Sequence, residues 1–214
     1  MSAYRLIADH YVLPTPAGAY TAVAHRGEDP VHQLLCALLR HETTPLLTQQ
    51  ALERWTGQPE LEAQESLYLA QSHVWIEGFT QSRQTPGGAL ETLLPDLLPG
   101  LSDSGKVLLA DAHGFCVACA GFTHEAGVEL SALSADIASL DDRHGGLLHR
   151  NLRLSSAAWA LVDAAGNSQI GCWPLYIDAL RFALVLQGGP RFNQPAFTEL
   201  VWALSTRYAQ KEQE

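Results

Sequence analysis

The phrase Asp-Ala-x-Gly is written twice in this chain, at Asp111 to Gly114 and again 52 positions later at Asp163 to Gly166. The first copy lies in LLADAHGFCVACAGF, the second in ALVDAAGNSQIGCWPL, and each time an apolar run stops at the aspartate and a new one starts after the glycine. An aspartate accepts hydrogen bonds from the amides just after it, and a glycine takes up positive φ without a Cβ clash. Each phrase therefore predicts a tight turn between two antiparallel strands, with Asp111, Gly114, Asp163 and Gly166 as the turn residues.

The runs VLLA, CVACA, WALV and FALVL do not alternate between polar and apolar residues. A sheet with one wet face should alternate, so helices are expected over both faces. ALETLLPDLLPGL, residues 89–101, reads as a short helix ended by Pro99-Gly100. Between the hairpins a helix is expected from Thr123 to His144, stopped by Gly145-Gly146. LRFALVLQGG supplies a fifth strand. NQPAFTELVWALSTRYAQ supplies a last helix, with Phe197, Leu200, Val201, Leu204 and Tyr208 on its apolar side. The order α-β-β-α-β-β-β-α predicts an α+β three-layer sandwich around an antiparallel five-stranded sheet.

Upstream, TQSRQTPGG (80–88) reads as a linker that divides residues 1–85 from residues 86–214. VLPTPAGAYTAVA is expected to be an irregular extended segment. Asp29-Pro30 then caps a helix carrying Leu34, Leu35, Leu38 and Leu39. Thr48 and Gly57 bound a second helix, and Pro59 opens a third with Leu61, Leu67, Leu69 and Ala70 as its apolar positions. VWIEGF reads as a strand, so the part has a winged-helix outline. Its charge argues against DNA: residues 1–85 hold five Lys/Arg and nine Asp/Glu, and PELEAQESLYLAQ carries three glutamates and no cation. Docking on phosphates needs cations, and the whole chain has a net charge of −10. No nucleic-acid partner is expected.

No basic stretch followed by a long apolar one opens MSAYRLIADHYVLP, and no apolar run reaches the length of a membrane span. Four cysteines in 214 residues make no disulfide framework. A cytoplasmic protein is the expectation.

In the middle helix Ala126, Leu130, Leu133, Ile137 and Leu140 follow one another at steps of 4, 3, 4 and 3. That spacing makes one apolar seam. Ser131, Ser134, Ala135 and Ala138 flank it with small side chains that would let another helix approach. A homodimer is expected, with Ala126, Leu130, Leu133, Ser134, Ile137 and Leu140 at its interface.

From Gly88 to Tyr208 the chain resembles the roadblock (dynein light-chain) family. The resemblance rests on a short helix leading into KVLLADAHGFCVACAGF, the Ser/Ala/Leu-rich helix, SAAWALVDAAGNSQIGCWPL, RFALVLQGG and the final helix. It implies dimers in which the middle helices pair and the sheets join across the two-fold axis. It also implies a non-enzymatic role as adaptor or regulator of a small Ras-like GTPase, with no catalytic residues to carry over.

The remaining features favour structure over chemistry. Cys116 and Cys119 could form half a metal or redox site completed by Cys172 or His113, but residues three apart in a strand point to opposite faces. Buried thiols filling a core are the expected reading. His113, His124, His144 and His149 read as isolated surface histidines, and Asp141-Asp142 as a solvated helix end. LQGGPRFN reads as a strand-to-helix turn in preference to an anion site, and the chain has no phosphate-binding loop of the GxxxxGK[ST] type. No catalytic residue, cofactor or metal is predicted. Among Trp159, Trp173 and Trp202, at least one is a candidate partner anchor. The rival class is a ligand-sensing transcriptional regulator with a winged helix.

Overall fold

The structure, a computed structural model, describes residues 6, 7 and 9–209; Arg5 and Gln210, which belong to segments discussed above, lie outside the described residues. The chain divides into two compact units, residues 1–87 with 197–214, and residues 88–196.

In the first unit the strand β1 (Tyr11–Pro14) pairs antiparallel with β2 (Ile76–Phe79), Tyr11 opposite Phe79. The expected extended segment ends at Pro14, and a helix, α1 (Pro16–Val23), follows at once. The cause is local: Thr15 Oγ1 accepts from the Gly18 amide at 3.2 Å, and Pro16 occupies the first helical position, where no amide is missed. In α2 (Pro30–Arg40) the Asp29 carboxylate accepts from the His32 amide at 3.0 Å, and Leu34, Leu35, Leu38 and Leu39 are sealed from solvent. Thr48 caps α3 (Gln49–Thr56) through the Ala51 amide, and Gly57 stops it at φ 65°. The next helix, α4 (Glu60–Ser72), buries Leu67 and Ala70 as expected but turns Leu61 and Leu69 to solvent.

The first unit also takes most of α7 (Pro195–Tyr208), which the sequence assigned to the second part. Phe197, Leu200, Val201, Trp202 and Leu204 are all buried, so this helix has apolar contact around most of its circumference. Trp202 Nε1 donates to the His41 carbonyl at 2.7 Å, and the Phe197 ring lies 6.1 Å from that of Tyr20. Trp202 is therefore a core residue rather than a partner anchor, and Tyr208, expected on the apolar side, is exposed.

The second unit begins with α5 (Leu90–Leu97), continued by a 3-10 turn to Leu101. Its sheet is antiparallel and five-stranded, in the order β4 (Cys116–Ala120), β3 (Val107–Ala110), β7 (Leu180–Gln187), β6 (Ser168–Ile177), β5 (Trp159–Val162). All four residues of β3 are buried, which explains why its sequence does not alternate. The two Asp-Ala-x-Gly phrases fold alike. Asp111 Oδ1 accepts from the amides of His113 and Phe115, both at 2.9 Å. Asp163 Oδ1 accepts from those of Ala165 and Asn167 at 2.8 and 2.9 Å. Gly114 and Gly166 sit at φ 82° and 86°.

The middle helix, α6 (His124–Gly145), is capped by Thr123 Oγ1 at the Ala126 amide. It does not stop at Gly145-Gly146. Both glycines keep right-handed helical angles, and the chain continues through a π-helical turn to Asn151. A glycine stop needs positive φ, which neither adopts. The small residues of α6 also serve another purpose than the expected one. Gly127, Ser131 and Ser134 are buried within their own chain. A Cβ on Gly127 would lie 3.3 Å from Cys119 Sγ. The two serines satisfy themselves inside the helix, each donating at 2.7 Å to the carbonyls of Gly127 and Ser131 respectively. Small side chains bring the helix down on its own sheet, and the larger Val128, Leu133 and Leu140 face outward.

Candidate functional site

An open apolar groove of about 320 Å³ runs between α6 and the strands β5 and β6. Leu130, Leu133 and Ile137 line it from the helix, and Trp159, Leu161 and Ile170 from the sheet. Of the residues expected at a dimer interface, Ala126, Leu130 and Ile137 are half-buried, while Leu133 and Leu140 are exposed. Ser134 lies on the groove floor, almost wholly covered by its own chain, and offers a partner little surface.

The interface residues expected from the sequence all lie on α6, and none on the sheet side of the groove. Strand β5 is an edge, and it reads Trp-Ala-Leu-Val with Leu161 63% and Val162 52% exposed. Edge strands of this kind are ordinarily guarded by lysine, proline or a covering loop, because their free amides and carbonyls template further pairing. Trp159, an expected anchor candidate, faces this groove. Trp173 is packed edge-on against Phe192 at 5.4 Å instead.

Asp141 braces the groove at one end. Its Oδ1 accepts from Trp159 Nε1 at 3.0 Å, and its Oδ2 meets His149 Nε2 at 3.1 Å. The neighbouring Asp142 pairs with Arg181 at 3.0 Å. Asp141-Asp142 is thus a fastening between helix, π-turn and sheet rather than a solvated helix end. His149 is not an isolated histidine: the bond to Asp141, and then one to the Leu154 carbonyl, raise its pKa above the ordinary 6.5. The imidazolium is favoured in the folded chain, so this fastening is complete below pH 6.5 and lost as pH rises through the raised folded value. Imidazole NMR should place the His149 midpoint above 6.5 and show it fall in Asp141→Asn; an unmoved midpoint would contradict the pairing.

Cys116 is exposed and Cys119 half-buried, so neither fills the core as expected, and of these three thiols only Cys172 is buried. Burial pushes Cys172 up to about 11. Burial and then Cys116 raise Cys119. The prediction that Cys116 and Cys119 point to opposite faces needs correction, because a register shift in the β3–β4 ladder pairs Leu108 with Cys119 and Ala110 with Cys116. A bulge adds a residue, and the two thiols come to one face. Among the described residues no group of three or more His, Cys, Asp or Glu side chains is placed to hold a metal ion. His113 and His124 are exposed. In LQGGPRFN the Gly189 amide is taken by Asp103 Oδ1 at 2.9 Å, so an acidic side chain already fills what an anion would need. Among the described residues no helix is long and apolar enough to cross a membrane.

No family model matches the chain, and no curated protein does. A solved structure, the crystal structure of a Roadblock/LC7 domain from Streptomyces avermitilis, is similar over 56% of this chain and 93% of that one, at 12% identity and a TM-score of 0.36.

Proposed function

We propose that the chain is a dimeric, non-enzymatic adaptor in which two copies pair through the groove between α6 and β5. In this reading the winged-helix-like first unit recruits another protein. The observation that carries it is the apolar lining of that groove, in which Leu133 from α6 and Leu161 from β5 remain exposed. A contiguous apolar surface of this kind marks an interaction site in a soluble domain. A two-fold pair covers the same patch on both copies, and the unguarded β5 edges can hydrogen-bond to one another across the axis. Burial raises the pKa of Cys119 and of Cys172, which argues against either of these two thiols as a nucleophile.

A small Ras-like GTPase is the partner class that the roadblock resemblance implies, bound through surface complementarity and without bond chemistry. Light scattering at micromolar concentration should give about twice 23.3 kDa; a mass of 23.3 kDa would remove the dimer. Pull-down with a candidate GTPase in both nucleotide states tests the second part, and binding in neither removes it. The groove volume also falls within the range of small-molecule sites, which favours a ligand sensor as the second reading. That reading requires DNA binding that weakens steeply with salt.

A further inference from the structure

We propose that the outward face of α4, with the tip His73-Val74-Trp75 beyond it, docks a basic amphipathic segment of another protein. The proposal rests on reading the first unit as the recruiting part, and it is independent of the dimer. At 100° per residue, positions 61, 65, 68, 69 and 72 share one face of the helix. The opposite face is already spent on the core through Ala63, Leu67 and Ala70. A helix with its core stripe filled ordinarily shows polar residues to solvent. Here Leu61, Tyr68 and Leu69 are 56%, 52% and 44% exposed.

The tip adds a second observation. Val74 sits at φ 56°, a region a β-branched residue rarely enters, and its side chain is 68% exposed. Its surroundings impose this. Thr15 Oγ1 donates to the Val74 carbonyl at 2.7 Å, the Thr15 amide to Trp75 O at 2.9 Å, and the Trp75 amide to Ala70 O at 2.8 Å. The His73 ring stacks on that of Trp75 at 4.5 Å. Strain that the fold holds in place, with an apolar side chain presented to water, is typical of binding surfaces.

Charge selects the occupant. The helix carries Glu60, Glu62 and Glu65 and no Lys or Arg, so nucleic acid and anionic lipid are repelled. An amphipathic helix fits if its apolar residues lie on Leu61, Tyr68 and Leu69 and its Lys or Arg residues meet Glu62 and Glu65.

The probe is a fluorescent peptide of Lys and Leu at helical spacing, about 18 residues so that it holds a helix. Its anisotropy is read against the full chain, beside a peptide with Glu in place of Lys. The Lys peptide should bind and the Glu peptide should not. The double variants E62K/E65K and L61S/L69S should each weaken binding about tenfold or more, with circular dichroism unchanged. E91K/D96K makes the same charge change on α5, where both side chains are exposed, and should leave binding within about twofold. The proposal is overturned if wild type does not bind, if the α4 variants bind as wild type does, or if the α5 variant loses as much as E62K/E65K. Leu133→Asp, which breaks the proposed dimer, should leave this binding intact, so the two readings fail separately.

Discussion

Leu133→Asp is expected to convert a pair of chains into single ones, the light-scattering mass falling to 23.3 kDa while the circular dichroism spectrum stays the same. Leu133 is half exposed in its own chain, so the folded monomer gives up little when it is changed. Substitutions at such positions ordinarily move stability by no more than about 0.5 kcal/mol. The pair gives up much more. With half of its surface left to bury, Leu133 contributes about 0.8–1.5 kcal/mol, and two-fold symmetry counts the loss twice. A carboxylate forced into the same apolar rim adds a desolvation cost of several kcal/mol. The dissociation constant should rise by about a thousandfold or more. Ser131→Leu supplies the contrast. Ser131 lies fully buried beneath its own helix, and a leucine there would lift α6 from the sheet, so the chain itself should lose stability. If Leu133→Asp instead unfolds the monomer, or leaves the dimer intact, α6 is not the pairing surface.

What could be read beforehand follows the range of the interaction. The turns at Asp111 and Asp163 were legible because an aspartate and a glycine settle them within five residues. The caps at Asp29 and Thr48 are local in the same way. Features set by distant partners were misread. The seam of α6 was visible, yet the sequence could not say which flank meets the sheet; the small residues went inward, Leu130 and Ile137 pack partly on the core, and Leu133 and Leu140 face outward. The bulge opposite Leu109 and Ala110 has no marker in CVACA, so the shared face of the two thiols was missed. Asp141 looked like a helix end because Gly145-Gly146 looked like a stop. Trp159, 18 residues away, gives that aspartate its role. The exposure of β5 did carry a signal, in a wholly apolar WALV with no lysine or proline to guard an edge, but only the topology shows that β5 is one.

Gly18→Ala tests the packing of the first unit. By helix propensity alone the change should stabilise α1 by up to about 1 kcal/mol, since alanine is the better helix former. Packing predicts the reverse. A Cβ on Gly18 would lie 1.9 Å from the Trp75 carbonyl oxygen and 2.8 Å from its carbon. Both are backbone atoms, and the oxygen is held by the Thr15 amide at 2.9 Å, so neither can swing aside as a side-chain end would. Making room means parting α1 from the tip that carries Val74, with loss of that bond and of the Thr15 hydroxyl bond to the Val74 carbonyl. Clashes of this kind cost about 1–3 kcal/mol in a well-packed core and more where the obstacle is backbone. Adding the lost hydrogen bonds, about 3 kcal/mol or more of destabilisation is expected, which would move a urea midpoint down by about 1 M or more. Gly100→Ala is the matched control: a Cβ there meets nothing within 4 Å, and its midpoint should stay near that of wild type. Equal midpoints for the two variants would show that the α1–tip contact is not what the geometry requires.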